Sequence, residues 1–375
     1  MEKPIRILHV IGIMNRGGAE AMIMNLYRSI DKEKIQFDFV QNCTGPAIFD
    51  EEIRQMGGKI YHCPHYNGKN HFQYVKWWKK FFKNHKDEYY IVHGHLGSTA
   101  AIYLHIANKF GLYTIAHSHC AVVVNSYMER LYTIFSYPTR YIADFFFGCS
   151  LNAGISRYGK KIVSKNNFKV LNNAIDLNQF AYNKQIREKI RNELKVTNEF
   201  VIGHVGRMDN KQKNQAFLLN LIKQMKNQYP VKLVLVGTGV NYDKLVKQAE
   251  EMGLENDVLF LGVRSDVNEL LQGMDCFVFP SFYEGLPVTL IETQAASLPS
   301  VISDTITDEV ILTDIVTKVS LNSSLQDWIV EIIKYFNYDR SHSYINDLNA
   351  YDVKFTSKWM EDFYIKCQKE NLKNH

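Results

Sequence analysis

Apolar, β-branched runs alternate with longer amphipathic stretches along this chain, and the alternation begins twice. "IRILHVIG" (5–12) reads as a strand, and "AEAMIMNLYRSI" (19–30) reads as a helix entered through a glycine loop. "QFDFVQN" (36–42), "IYHC" (60–63), "YYIVHGH" (89–95), "LYTIAHSH" (112–119) and "FKVL" (168–171) read as further strands. The pattern restarts at "FVIGHVGR" (200–207) and continues through "VKLVLVG" (231–237), "VLFLG" (258–262) and "CFVFPS" (276–281). Strands separated by helices pair in parallel, and a parallel sheet needs helices on both faces. The restart predicts two such sheets, hence an α/β chain of two Rossmann-like, doubly wound domains facing each other across a cleft. The expected boundaries are 1–175, 176–350 and a C-terminal helix over 351–375 that crosses back to the first domain.

Length and composition agree. At 375 residues the chain exceeds one ordinary core, and 46% apolar with 22% charged residues is globular composition. A net charge of +5 is too mild to indicate nucleic acid. The six cysteines are scattered without a C-x-x-C pair, which fits reduced thiols in a cytosolic setting rather than a disulfide framework. No stretch approaches the roughly 20 apolar residues that span a bilayer, so any membrane contact is expected to be peripheral.

Ligands of doubly wound sheets bind beyond the carboxyl ends of the strands. After the first strand of the second domain, "VGRMDNKQKN" (205–214) carries Arg207 and Lys213 on one loop, an anion site in one reading and a solvated basic loop in the other. In "PSFYEGLPVTLIETQAAS" (280–297), Pro287 suits the first position of a helix over about 288–297. That helix start favours a negative group. Glu284 lies just before it, beside Gly285, which lets backbone approach a ligand. Glu292 lies about one turn inside. A diphosphate at the helix start would place a sugar near Glu284 and a ribose near Glu292, as the acidic residue of dinucleotide folds holds ribose. The plainer alternative is a helix with one surface acid.

Taken in order, these segments resemble family-4 retaining glycosyltransferases, which have the GT-B fold. "PSFYEGLPVTLIETQAAS" is similar to their E-x7-E region, and "VGRMDNKQKN" to their Gly-Arg…Lys phosphate loop. "NRGGAEAMIMNL" (15–26), "TIAHSH" (114–119), "NNAIDLNQF" (172–180) and "FLGVRSDVNELLQGMDCFVFPS" (260–281) resemble their glycine loop, histidine strand, inter-domain linker and the approach to the E-x7-E. The matches cover about residues 5–310, and the bacterial exopolysaccharide and capsule branch is the nearest in character. The resemblance implies that Arg207 and Lys213 hold a donor diphosphate, Glu284 contacts the transferred sugar and Glu292 the ribose. Gly285, Leu286 and Pro287 would offer backbone N–H groups, and Gly17 and Gly18 would approach the phosphate from the first domain. His117 would stand over the sugar, and Val263 and Arg264 would flank the base. The chain departs from the family at Ala174, where glycine is usual, and at "SDTITDEV" (303–310), which lacks the usual glycines.

The implied reaction moves a sugar from a nucleotide-sugar, of the UDP class, to a hydroxyl of a lipid-linked glycan, with retention. No cofactor and no metal are expected, since no D-x-D sequence is present. Two rival enzymes stand beside it, besides a non-catalytic binding partner, against which Arg207, Lys213, Glu284 and Glu292 together argue. One is a sugar-nucleotide epimerase on the same fold. The other is a metal-dependent hydrolase using His93/His95 and His117/His119, each pair on one face of a strand. Finally, "HFQYVKWWKKFFKNHK" (71–86) interleaves aromatics and lysines at helical spacing. It reads either as a helix packing Tyr74, Trp77, Trp78, Phe81 and Phe82 on the sheet, or as one whose lysine margin also meets anionic lipid at the inner face of the plasma membrane.

Overall fold

The structure is a computed structural model that describes residues 3–15, 17–119, 133–209 and 211–373. It divides into two compact units, Met1–Ile175 with Ala350–His375, and Asp176–Asn349. In the first unit the described strands are β1 (Ile5–Ile11), β2 (Ile35–Gln41), β3 (Ile60–His62), β4 (Ile91–Gly94), β5 (Tyr113–Ser118), β6 (Phe145–Gly148) and β7 (Phe168–Val170). They form one sheet in the order β3-β2-β1-β4-β5-β6-β7, with parallel pairing throughout.

The second unit holds β8 (Phe200–Val205), β9 (Val231–Val236), β10 (Val258–Phe260), β11 (Cys276–Phe279), β12 (Ser300–Ser303) and β13 (Val316–Val319). Their order is β10-β9-β8-β11-β12-β13, again parallel. Both sheets are doubly wound: the chain fills one side of its first strand, then returns to fill the other. The strands read as near-continuous apolar runs because helices cover both faces. The cores confirm this, with Ile202, Leu233, Leu235, Val278 and Val301 fully buried beneath the helices of the second unit.

Strands β6, β12 and β13 have four residues each and are not announced by local periodicity. Pairing to a neighbour already in place defines them. The last helix, Val353–Lys373, packs on the first unit's core through Met360, Tyr364 and Cys367. Its start is pinned by hydrogen bonds joining Ile175 N–H to the Tyr351 carbonyl and Val353 N–H to the Ile175 carbonyl, both 2.9 Å. Ala174 is 1% exposed and its carbonyl accepts from Asn25 Nδ2 at 3.1 Å. Its methyl thus fills the first core.

The helix His71–Asn84 buries Tyr74, Trp78, Phe81 and Phe82 against the first sheet, which is the packing reading of that segment. Trp77 is half-buried and stacks on Phe81, while Lys76, Lys79, Lys80 and Lys83 are exposed. No described helix is long and apolar enough to cross a membrane.

Candidate functional site

In the second unit the chain reverses its winding between the neighbours β8 and β11, and a crevice opens at such a point beyond the strand ends. Two loops flank it, 206–214 after β8 and 280–287 after β11. They are stitched together. Phe282 N–H donates to the Gln212 carbonyl at 2.8 Å, Gln212 Nε2 to the Tyr283 carbonyl at 2.9 Å, and Asn214 Nδ2 to the Pro280 carbonyl at 3.2 Å. Asn214 adopts a left-handed conformation (φ 55°) at the head of the helix Gln215–Met225, a turn that asparagine tolerates. Gly237, at φ 129°, packs so tightly on the Gly206 carbonyl that any Cβ would collide with it.

This stitching joins two residues 71 positions apart. Lys213 Nζ stands 2.8 Å from Glu284 Oε1 and 4.6 Å from the Phe279 ring centre, with the carboxylate side chain 8% exposed. The pair is close without hydrogen-bond alignment, since Oε1 has no hydrogen-bond partner among the described residues. Beneath it lies His204, fully buried, whose Nδ1 is 3.0 Å from the Val278 carbonyl. Burial pushes the His204 imidazole down to about 4. Arg207 is on the same loop but points outward: its side chain is 82% exposed and lies 3.4 Å from Asp209. Sequence reasoning found the two cations and the carboxylate and missed His204 and Asp209.

The helix Val288–Ala295 begins where expected and ends two residues earlier, with Pro287 as its N-cap (φ −73°, ψ 101°) rather than its first helical residue. Leu286 and Pro287 are buried, and Gly285 is exposed. Nothing lies within 4 Å of where a Gly285 Cβ would stand, and its φ is not left-handed, so the fold itself does not require glycine there. Glu292 sits within the helix, and burial pushes its carboxyl up to about 7. Val263 is 57% exposed. Arg264 instead holds Asp266 at 2.6 Å and Glu193 at 3.0 Å, and these partners raise its guanidinium further above the ordinary range.

In the first unit, Gly17 caps the helix Gly18–Ser29, and both glycines are exposed. A Cβ on Gly17 would collide with the Glu20 carboxylate, whereas one on Gly18 would meet nothing. His117 is the next-to-last residue of β5 and is 3% exposed. Here spacing understated the site, because the two His-x-His pairs meet. Register sets His9 beside His93 across β1 and β4, and continues β4 and β5 so that His95 falls opposite His117. Five imidazoles result, at the point where this sheet too reverses its winding. His119 Nε2 is 2.7 Å from His95 Nδ1, and His95 Nε2 is 2.9 Å from His9 Nδ1. His117 Nδ1 is 3.3 Å from His93 Nε2, and His93 Nδ1 is 2.7 Å from the Tyr364 hydroxyl. Burial drives all five towards the neutral form, His9 down to about 3 and His119 to about 4. Burial and the neighbouring rings together hold His93, His95 and His117 well below the ordinary value. His9 was legible as a polar residue inside a buried strand. Tyr364 was not, since it arrives from the far end of the chain.

Two doubly wound units, one with a cation–carboxylate pair beside a helix start, define the α/β architecture, and comparison with known proteins gives the class. The chain matches the glycosyl transferases group 1 family over residues 185–348. It is 35% identical to EpsF of Bacillus subtilis over 336 residues, 88% of this chain and 87% of EpsF. It is 24% identical to the capsular polysaccharide biosynthesis glycosyltransferase CapH of Staphylococcus aureus over 379 residues, 96% of this chain and 99% of CapH. Over 142 residues, 36% of each chain, it is 34% identical to the Escherichia coli UDP-Gal:alpha-D-GlcNAc-diphosphoundecaprenol alpha-1,3-galactosyltransferase. The crystal structure of Anabaena HepE in complex with UDP superposes with a TM-score of 0.78 at 17% identity, covering 96% of this chain and all of that one. The chain belongs to the group 1 glycosyltransferases, and its fold is GT-B.

Proposed function

We propose that this protein is a retaining, metal-independent hexosyltransferase. It would move a sugar from a UDP-sugar to a hydroxyl of a lipid-linked glycan during bacterial surface polysaccharide synthesis. The observation that carries the reading is the Lys213–Glu284 pair beside the start of the helix Val288–Ala295, with Glu292 half-buried inside that helix. A diphosphate takes Lys213 and Arg207 as its counter-charges and the helix N-terminus as its dipole. Its arrival draws the Lys213 ammonium from Glu284, whose freed carboxylate then accepts from sugar hydroxyls. Glu292 accepts from ribose hydroxyls. The buried Nε2 of His117, which has no hydrogen-bond partner among the described residues, contacts the sugar, and the glycine loop at Gly17 and Gly18 approaches the phosphate.

In the transfer itself the bond from anomeric carbon to phosphate oxygen breaks, and a bond from the acceptor oxygen forms on the same face. The acceptor proton leaves with the departing diphosphate. Fixed cations and helix N–H groups stabilise the charge that develops there, and losing one such group typically costs about 3–4 kcal/mol of barrier. The donor class is supported by UDP in HepE and UDP-Gal in the Escherichia coli relative, and the acceptor class by that relative's diphosphoundecaprenol. The capsular role of CapH, similar over nearly its whole length, supports the polysaccharide setting. The exposed lysines of His71–Asn84 would hold the first unit at an anionic inner membrane surface, where such an acceptor resides.

The test is incubation with a panel of nucleotide-sugars and a diphosphate-lipid acceptor, with product anomeric configuration read by NMR. Transfer with retained configuration from one UDP-sugar, unchanged by chelator, is expected. Inversion, or conversion of the donor sugar without any acceptor, would overturn the reading, the second outcome in favour of an epimerase.

A further inference from the structure

The glycosyltransferase reading uses one imidazole of the histidine cluster and leaves four unexplained. From their geometry we propose that His95, His117 and His119 form a binding site for a borderline divalent transition metal of the zinc, cobalt and nickel class. One ligand nitrogen from each of these three residues lies within 4.8 Å of the others. Their ring centres are 4.1 Å apart for His117 and His119, 5.0 Å for His95 and His119, and 5.3 Å for His95 and His117. Imidazole suits this class of ion, and three nitrogens leave one tetrahedral position open.

The surroundings supply two of the three ligands with the second partner such a set needs. A metal-bound histidine usually donates its other ring N–H to a fixed acceptor. With His95 ligating through Nδ1, its Nε2–H points to His9 Nδ1 at 2.9 Å. With His117 ligating through Nε2, which has no other partner among the described residues, its Nδ1–H points to His93 Nε2 at 3.3 Å. His93 in turn donates from Nδ1 to the Tyr364 oxygen at 2.7 Å. One consistent set of neutral tautomers therefore serves His93, His95 and His117 together, while His9 Nε2 and His119 Nδ1 have no hydrogen-bond partner among the described residues. The five-membered cluster is then three ligands with two histidines behind them, which accounts for rings that transfer chemistry does not need.

His119 completes the set through Nε2. Two nitrogens on one tetrahedral ion stand about 3.3 Å apart when each bond is about 2.0–2.1 Å. The 2.7 Å contact between His95 and His119 must therefore open by about half an ångström as the proton between them gives way to the ion. Access is present: the three ligands line a cavity of about 90 Å³ that also touches Ser136, Thr139 and Arg157. That is room for water at the open position. The alternative triad of His9, His93 and His95 is deeper: His9 and His93 are each 1% exposed, and neither lines that cavity. No carboxylate stands among the ligands, so hydrolytic chemistry is not part of the proposal. The same His117 nitrogen cannot serve ion and sugar at once, so an ion there withdraws it from transfer.

Tag-free, chelator-stripped full-length protein would be titrated with Co²⁺, without donor or acceptor. One equivalent is expected, with the visible absorption of a tetrahedral cobalt ion, displaced by Zn²⁺. Cu²⁺ loaded into the wild-type protein should show nitrogen hyperfine coupling from imidazoles in its electron paramagnetic resonance spectrum. Removing one ligand in His95→Ala or His119→Ala should weaken Co²⁺ binding at least about 100-fold, and Tyr364→Phe, acting through His93, about 10-fold. His105→Ala, at an exposed histidine outside the cluster, should bind as wild type. Failure of the wild-type protein to take up Co²⁺, or a copper spectrum without imidazole nitrogen, overturns the proposal even if the alanine variants misfold. Folded variants that bind unchanged overturn it as well. Because neither the cobalt titration nor the copper spectrum involves transfer, either result leaves the glycosyltransferase assignment to its own test.

Discussion

Glu292→Gln should stabilise the ligand-free protein while weakening its donor complex, and the size of the first effect follows from the burial of one carboxyl. Burial holds the folded pKa of Glu292 at about 7, against an ordinary 4.5. The folded state therefore keeps the proton over a range in which the unfolded chain has lost it. Stability falls as pH rises from about 4.5 to about 7, because the folded state binds the extra proton there. The full penalty is present above about 7 and absent below 4.5. At about 1.4 kcal/mol per pH unit it amounts to ~3 kcal/mol, an upper value since local water relieves part of it. Glutamine keeps the shape and carries no charge. The variant should unfold several degrees higher than wild type at pH 8, at roughly 2–4 °C per kcal/mol for a unit of this size, and at nearly the same temperature at pH 4.5. Thermal unfolding across that range, followed by circular dichroism, measures it. Donor affinity should move the other way: a charged acceptor lost from ribose hydroxyls is worth about 1.5–3 kcal/mol, roughly 10- to 100-fold in dissociation constant. Nucleoside diphosphate binding to wild type should tighten through pH 7 relative to the variant. A variant no more stable than wild type at pH 8, or one whose advantage persists unchanged at pH 4.5, would refute the reasoning.

Lys213→Ala leaves the Glu284 carboxylate nearly buried without its counter-charge and should destabilise the second unit by about 3 kcal/mol, besides abolishing most turnover. The double variant Lys213→Met with Glu284→Gln should recover most of that stability but none of the activity, which denaturant titration and a transfer assay separate. Arg207→Ala should leave unfolding unchanged, because its side chain is exposed, yet weaken nucleoside diphosphate binding and cut turnover by about 100-fold or more. His117→Ala should leave the nucleotide dissociation constant near wild type and lower transfer at least about 100-fold; equal loss of both would make His117 a packing residue. Replacing Lys79, Lys80 and Lys83 with glutamate should reduce sedimentation with anionic vesicles at low salt and leave donor binding intact, each lysine contributing about 1 kcal/mol. Absence of vesicle binding by the wild type at low salt would remove the membrane idea.

Much of this was legible in the chain. Strand–helix alternation and its restart at Phe200 carried the two parallel sheets, since a short continuous apolar run and an amphipathic helix are properties of contiguous residues. The Gly-Leu-Pro sequence before Val288 located the second helix start to within one residue, and the loop cations stood beside a strand end in plain view. Four-residue strands such as β6 and β12 were not legible, because a neighbour's open edge, not their own pattern, makes them strands. The same holds for the chemistry. That Lys213 pairs with Glu284, that Glu292 is buried enough to hold a proton near neutrality, and that Arg207 faces outward all depend on how loops from adjacent strands are stitched. The histidines show the division most sharply. Sequence placed His93 with His95 and His117 with His119, since alternate residues of a strand share a face. It could not join the pairs to each other, to His9, or to Tyr364, because the register of β5 on β4 is set across strands, β1 and β4 are neighbours only through the reversal of winding, and the last helix returns from more than two hundred residues away. Contacts along the chain are written in its spacing; contacts across strands are set by register, and register exists only once the sheet has formed.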